Sequence, residues 1–204
     1  MRYRPNELLG RYRAIREATS TEAFFRDPAH KKTQEMWCAA HFSRGYEKHY
    51  GECFVLISDR DEQTDSDFEL EERRTRHPFQ VTELMEPGRR RGDEYRGGES
   101  DRTILEDWSP GTKNGPIWIR RAIERKVKKR YAGARGLNLL VYLNFPAYEQ
   151  RCDRIAEECE EAAEHFASVW LLNGNAICCI REGSGFEITN GWLPIEESLV
   201  DADL

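Results

Sequence analysis

The residues best suited to chemistry stand in one short stretch, Gly88-Arg89-Arg90-Arg91-Gly92-Asp93-Glu94-Tyr95-Arg96. Arg89, Arg90 and Arg91 between two glycines make a cationic turn, and their forked donors match the oxygens of a phosphate. A second basic block runs from 120 to 130, while acidic residues gather in EECEEAAE at 157–164 and at the C-terminus. A formal net charge of −6 disfavours a polyanionic partner, but a chain so polarised can turn one basic face to nucleic acid. The same charges equally fit solvated helix faces. The six cysteines include no C-x-x-C pair and have no histidine at ligand spacing, which argues against structural zinc. Cys152 and Cys159, seven apart on an expected helix, share one face, and Cys178 and Cys179 in an expected strand point to opposite faces. All six read as reduced packing residues.

The elements that must position these groups follow from periodicity and punctuation. Residues 5–18 read as a helix, with Leu8, Leu9, Tyr12 and Ile15 on one side. Asp27-Pro28 is a helix start, with Asp as N-cap and Pro where a missing N–H costs nothing. That helix is expected to reach about Tyr46, burying Met36, Trp37, Ala40 and Phe42, and Gly51 stops the segment. Strands are expected at 53–59, 67–72 and 78–85, the last ending at Glu86-Pro87-Gly88, with RRTRH as a polar link before it. A long polar loop from 89 to 115 is of the kind that carries function. A basic helix follows at 117–131, striped by Ile119, Ile123 and Val127. The continuous apolar run 137–145 reads as a strand covered on both faces. An acidic helix at 148–166 and a hairpin over 167–180, with Asn173-Gly174 as a type I′ turn, complete the order. The tail from about Pro194 is expected to carry little structure.

That order, α-β-β-β-α-β at its centre, resembles the core of the PD-(D/E)XK nuclease superfamily. Ser66-Asp67-Phe68 opens the second strand, and Phe79-Gln80-Val81-Thr82-Glu83 lies in the third. With the segment FQVTELMEPGRRRGDEYR at 79–96, the chain is similar to uncharacterised bacterial endonuclease-like proteins that carry G-R-R-x-x-D-E-[WY]-R after such a strand. The resemblance covers roughly residues 50–145. It implies a restriction-endonuclease-like core, Mg²⁺ as cofactor and hydrolysis of phosphodiester bonds, in DNA sooner than RNA. Such hydrolysis needs carboxylates to hold a hard cation against phosphate, and a fixed cation beside the attacking water or the leaving group. Carried over by position, Asp67 is the first carboxylate and a metal ligand. Gln80 stands where the family has Glu, and Thr82 where it has Lys. Glu83 is the nearest remaining carboxylate and metal candidate, although strand alternation turns it away from Gln80 unless the strand is bulged. Lys126 on the basic helix can replace the missing lysine, and Arg89, Arg90 and Arg91 are the nucleic-acid contacts.

Plainer roles remain open for each residue. Asp67 fits a solvated strand opener, Gln80 and Thr82 fit buried hydrogen-bonded polar groups, Glu83 fits a partner for the arginines, and Lys126 fits a solvated helix face. Three functions therefore stand side by side: a divergent metal-dependent nuclease, a degenerate relative that binds nucleic acid or a protein without cutting, and an unrelated α/β module whose arginine loop binds an acidic ligand. The fold class expected is α/β, a mixed central sheet with helices on both faces, in one domain over 1–204: N-terminal helices to 50, core 51–145, helix and hairpin 146–182, tail 183–204. No apolar run approaches membrane-spanning length and the N-terminus lacks a secretory pattern, so a cytoplasmic protein is expected, with a homodimer allowed.

Overall fold

The computed structural model describes residues 1–58, 66–89, 109–129, 136–145, 150–183 and 185–195. Its strands form one mixed sheet in which spatial order follows chain order: β1 (Arg2–Tyr3), β2 (Phe54–Leu56), β3 (Phe68–Glu72), β4 (Thr75–Met85), β5 (Asn138–Asn144), β6 (Val169–Leu172), β7 (Ala176–Arg181) and β8 (Leu193–Pro194). The β4–β5 and β5–β6 pairs are parallel and the others antiparallel. Each parallel pair needs a crossover, supplied by α4 (Ser109–Val127) and then α5 (Cys152–Ala163). Two crossovers of the same hand, stepping in the same direction along the sheet, place both helices on one face. Ile119, Ile123, Ile155 and Cys159 accordingly pack there on Leu84, Leu139, Val141 and Leu143. The opposite face is covered by α1 (Pro5–Glu17), α2 (Thr21–Arg26) and α3 (Lys31–Tyr50), whose Leu8, Phe24, Trp37 and Phe42 meet Val55, Phe68, Phe79, Val81 and Tyr142. β5 alternates between the two clusters and is buried along almost its whole length, as its unbroken apolar run requires. All six cysteines are buried thiols, with Cys152, Cys159 and Cys178 in one cluster and Cys38, Cys53 and Cys179 in the other.

Several boundaries differ from the sequence expectation, each for an identifiable reason. Ser20 caps an extra short helix, α2, by accepting from Ala23 N–H. Asp27 does act as a cap, but of a 3₁₀ turn, Pro28–His30, which leads into α3. That helix runs on to Tyr50 before Gly51, at φ 108°, ends it. Of the polar link before the third strand, Thr75–His77 is already strand. Arg73 and Arg74, both at positive φ, make the tight two-residue turn, so β4 starts at Thr75. The connection at Asn173–Gly174 is not type I′, because among its residues only Gly174 has positive φ. Instead the Asn173 side chain accepts from the backbone N–H groups of Asn175 and Ala176. Leu193–Pro194 form β8 and Ile195 is buried beyond it, while the rest of the expected tail, 196–204, lies outside the described residues.

The largest difference is α4, which begins well before 117 and carries Pro116 inside it. Proline has no N–H for the carbonyl four residues back, that of Thr112. Gln150, buried beneath the helix, donates its Nε2–H groups to that carbonyl at 2.9 Å and to Gly111 O at 2.6 Å. Gly115 permits the approach, since a Cβ there would lie 2.7 Å from Gln150 Nε2. Trp192 Nε1–H in turn holds the Gln150 carbonyl at 2.7 Å. Among the described residues no helix is long and apolar enough to cross a membrane.

Candidate active site beside the central strand

β3 begins at Phe68 opposite Phe79, whereas β4 continues to Met85. Beyond Phe79, among the described residues, no strand pairs with that side of β4. Asp67 is the residue that ends the pairing. Its N–H donates to Phe79 O at 2.8 Å, and its Oδ2 accepts from Val81 N–H at 2.7 Å, in the place a further backbone carbonyl would occupy. The carboxylate therefore lies in the plane of the sheet edge and belongs to neither face.

β4 pairs with β5 without interruption from Phe79–Asn138 to Met85–Asn144, so no bulge re-aims its side chains. Gln80, Thr82 and Leu84 face α4, and Phe79, Val81 and Glu83 face α3. Gln80 is 5% exposed. A buried amide oxygen needs a donor, and Lys126 provides it: Nζ donates to Gln80 Oε1 at 2.9 Å and to Val81 O at 2.8 Å. Lys126 reaches this point because it is seven residues, two helical turns, beyond the buried Ile119 on α4. Asp67 and Lys126 thus hold the two ends of one residue, Val81, by its N–H and its carbonyl.

Electrostatics tie α3 to the same place. Burial pushes the Lys126 ammonium below its ordinary pKa, and the negative charge of Asp67 opposes that shift. Glu35 on α3 has a carboxyl raised above the ordinary range, first by burial and then by Asp67, with a hydrogen bond from Lys31 acting against both. The Lys31–Glu35 ion pair measures 2.9 Å. Glu83 lies farther along the edge, where its Oε1 accepts from Asn144 Nδ2 at 2.8 Å. A cavity of about 260 Å³ is lined by Lys31, Glu35, Thr82, Glu83, Lys126 and Lys129 together with aromatic residues.

No family model, no curated protein and no solved structure matches this chain.

Of the expected site residues, Asp67, Gln80 and Lys126 are brought together. Glu83 lines the cavity together with Lys126, and its Oε1 accepts from Asn144 Nδ2. Arg89 donates to Asn144 O at 3.0 Å across the ends of β4 and β5. Arg90 and Arg91 lie outside the described residues. Glu35 and Lys31 were not anticipated, because a Lys and a Glu four apart on a helix read as a solvated pair. Only an acidic residue on the helix preceding the first core strand could have signalled them.

A magnesium ion takes hard oxygen donors, commonly one or two carboxylates, and completes its shell with water and substrate phosphate. Among the described residues no set of three or more His, Cys, Asp or Glu is placed to hold a metal. Asp67, Glu35, Gln80 and Val81 supply oxygens of the right chemical kind, and Lys126 already donates to those of Gln80 and Val81.

Proposed function

We propose that this chain is a nuclease-like protein of PD-(D/E)XK type that acts on phosphodiester bonds. The observation that carries the reading is the clasp on Val81. A carboxylate at the mouth of β3 and an ammonium from α4 meet at one peptide segment of β4, on an edge that no strand among the described residues pairs. That is where a superfamily nuclease would place its acid and its lysine, here with the lysine moved to the helix. Asp67 and Glu35 would hold Mg²⁺, which when bound supplies the positive charge that stabilises the phosphorane-like transition state. Lys126 contributes a second fixed positive charge, and its partial burial strengthens that charge toward a phosphate oxygen while easing loss of its proton. Asp67 is fixed through Val81, so it reaches the reaction already oriented. Lys31 and Lys129 on the cavity wall favour an anionic substrate, and nucleic acid is the polyanion the reading names.

The test is cleavage of single-stranded DNA, duplex DNA and RNA with Mg²⁺ or Mn²⁺. Asp67→Asn, nearly isosteric, should abolish cutting while circular dichroism stays unchanged. Cutting that survives this change would remove Asp67 from the reaction. A second reading, binding without cutting, is favoured by Gln80, whose amide brings no charge and is engaged by Lys126. A parent chain that binds nucleic acid, does not cut it, and gains Mn²⁺ affinity on Gln80→Glu would decide for that reading.

A further inference from the structure

The lining of the cavity beside the clasp is of two chemical kinds. One is an aromatic wall of Phe25 of α2, Trp37 of α3 and Tyr142 of β5, with Trp37 and Tyr142 ring centroids 4.9 Å apart. The other is charged, with Lys31, Lys126 and Lys129 beside the carboxylates of Glu35 and Glu83. Gln34, whose Nε2 donates to Phe24 O, and Thr82 add oxygens that can accept, and in Thr82 also donate, hydrogen bonds at the edge of a planar ligand. A lipid would not need those polar groups, and an inorganic anion would not need the aromatic wall. A flat heteroaromatic ring joined to a phosphate satisfies both. The volume of about 260 Å³ lies just under the roughly 300–1,000 Å³ of pockets for drug-sized molecules, so there is room for one ring system and not for a stacked run.

We propose that this cavity receives a single unpaired nucleobase next to the phosphate held at the Asp67–Lys126 clasp, which makes single-stranded nucleic acid the preferred ligand. The inference rests on the nuclease-like reading and deepens it. A base in a continuous duplex must leave its stack and its partner to enter, whereas an unpaired base has less to lose. Contact with aromatic side chains tolerates any base, because every base has a π-face, so the preference is for strandedness and not for sequence. The lysines engage the flanking phosphate, and the aromatic wall engages the base.

The test uses the full chain carrying Asp67→Asn, so that ligands stay intact, and fluorescein-labelled DNA in three forms: a single strand, the same strand with abasic sites along its length, and the blunt duplex. Binding is measured by fluorescence anisotropy at low salt. The single strand should bind at least tenfold tighter than the duplex, and the abasic strand should lose roughly 5- to 150-fold, the range for loss of one stacked base. Phe25→Ala, a half-buried side chain, should weaken the single strand and leave the duplex unchanged. If that variant proves unfolded by circular dichroism, the abasic strand decides alone. Equal affinity for intact and abasic strands would overturn the base pocket while Asp67-dependent cutting by the parent chain still stood. Absence of binding to every form would overturn the pocket, and absence of cutting as well would remove the nuclease-like reading with it.

Discussion

Lys126→Met removes the ammonium that bridges Gln80 and Val81 while keeping most of the aliphatic stem. Two oxygens lose their donor, Gln80 Oε1 at 2.9 Å and Val81 O at 2.8 Å. A buried polar group left unsatisfied costs about 1–3 kcal/mol, and Gln80 is almost fully buried. Against this, the ammonium is itself held in a partly desolvated place, which lowers its pKa, so removing the charge returns part of its burial cost. Gln80 can also turn its amide to find another partner. The net loss is about 2 kcal/mol, or a fall in Tm of roughly 4–8 °C for a chain of this size. Calorimetry on four proteins measures it: the parent, Lys126→Met, Gln80→Leu and the double variant. The pair should show a coupling energy of about 1 kcal/mol or more, because removing both polar partners together leaves less unsatisfied than removing one. A Tm within 1 °C of the parent for Lys126→Met, together with coupling below about 0.3 kcal/mol, would mean that the ammonium does not rest on Gln80, and the clasp would be refuted.

Gln150→Ala should destabilise by about 1–3 kcal/mol, since it removes the side-chain donor from Gly111 O and Thr112 O in a helix that Pro116 already deprives of one N–H; urea denaturation reads the loss, and hydrogen exchange should rise first at the start of α4. Glu35 titrates above its unfolded value, so its contribution to stability is full below the unfolded pKa and falls as pH rises through the folded one. Urea midpoints taken from pH 4 upward should therefore decline less in Glu35→Gln than in the parent, and parallel curves would place Glu35 in solvent.

Where local pattern and burial agree, the sequence was enough. The stripe Ile119, Ile123, Val127 marks a helix with one buried side, and the apolar run of β5 marks a strand covered twice; in both cases the signal is the residue's own partition between water and core. The N-terminal extent of α4 was not legible, because Pro116 and Gly115 are local helix breakers and their remedy, Gln150, lies 38 and 39 residues from the carbonyls it serves. The turn at Arg73–Arg74 escaped for a related reason. Neither residue favours positive φ, and the pairing of Phe68–Glu72 with Thr75–Phe79 imposes it.

The same division runs through the candidate site. Residue type alone determined that Asp67 could serve as a carboxylate and Lys126 as a cation, and alternation along β4 placed Gln80 and Glu83 on opposite faces. What only the tertiary structure decided is which of these groups meet. Asp67 and Lys126 are 59 positions apart in the sequence and are joined through Val81 because β3 stops short of β4 and α4 crosses behind it. Glu35 joins them from a third element, through a charge interaction that has no local sequence signature. Partition into core or solvent is a property of each side chain and its near neighbours, so the chain states it locally. Convergence of charges depends on where strands end and which face a crossover helix takes, and those follow from the packing of the whole sheet.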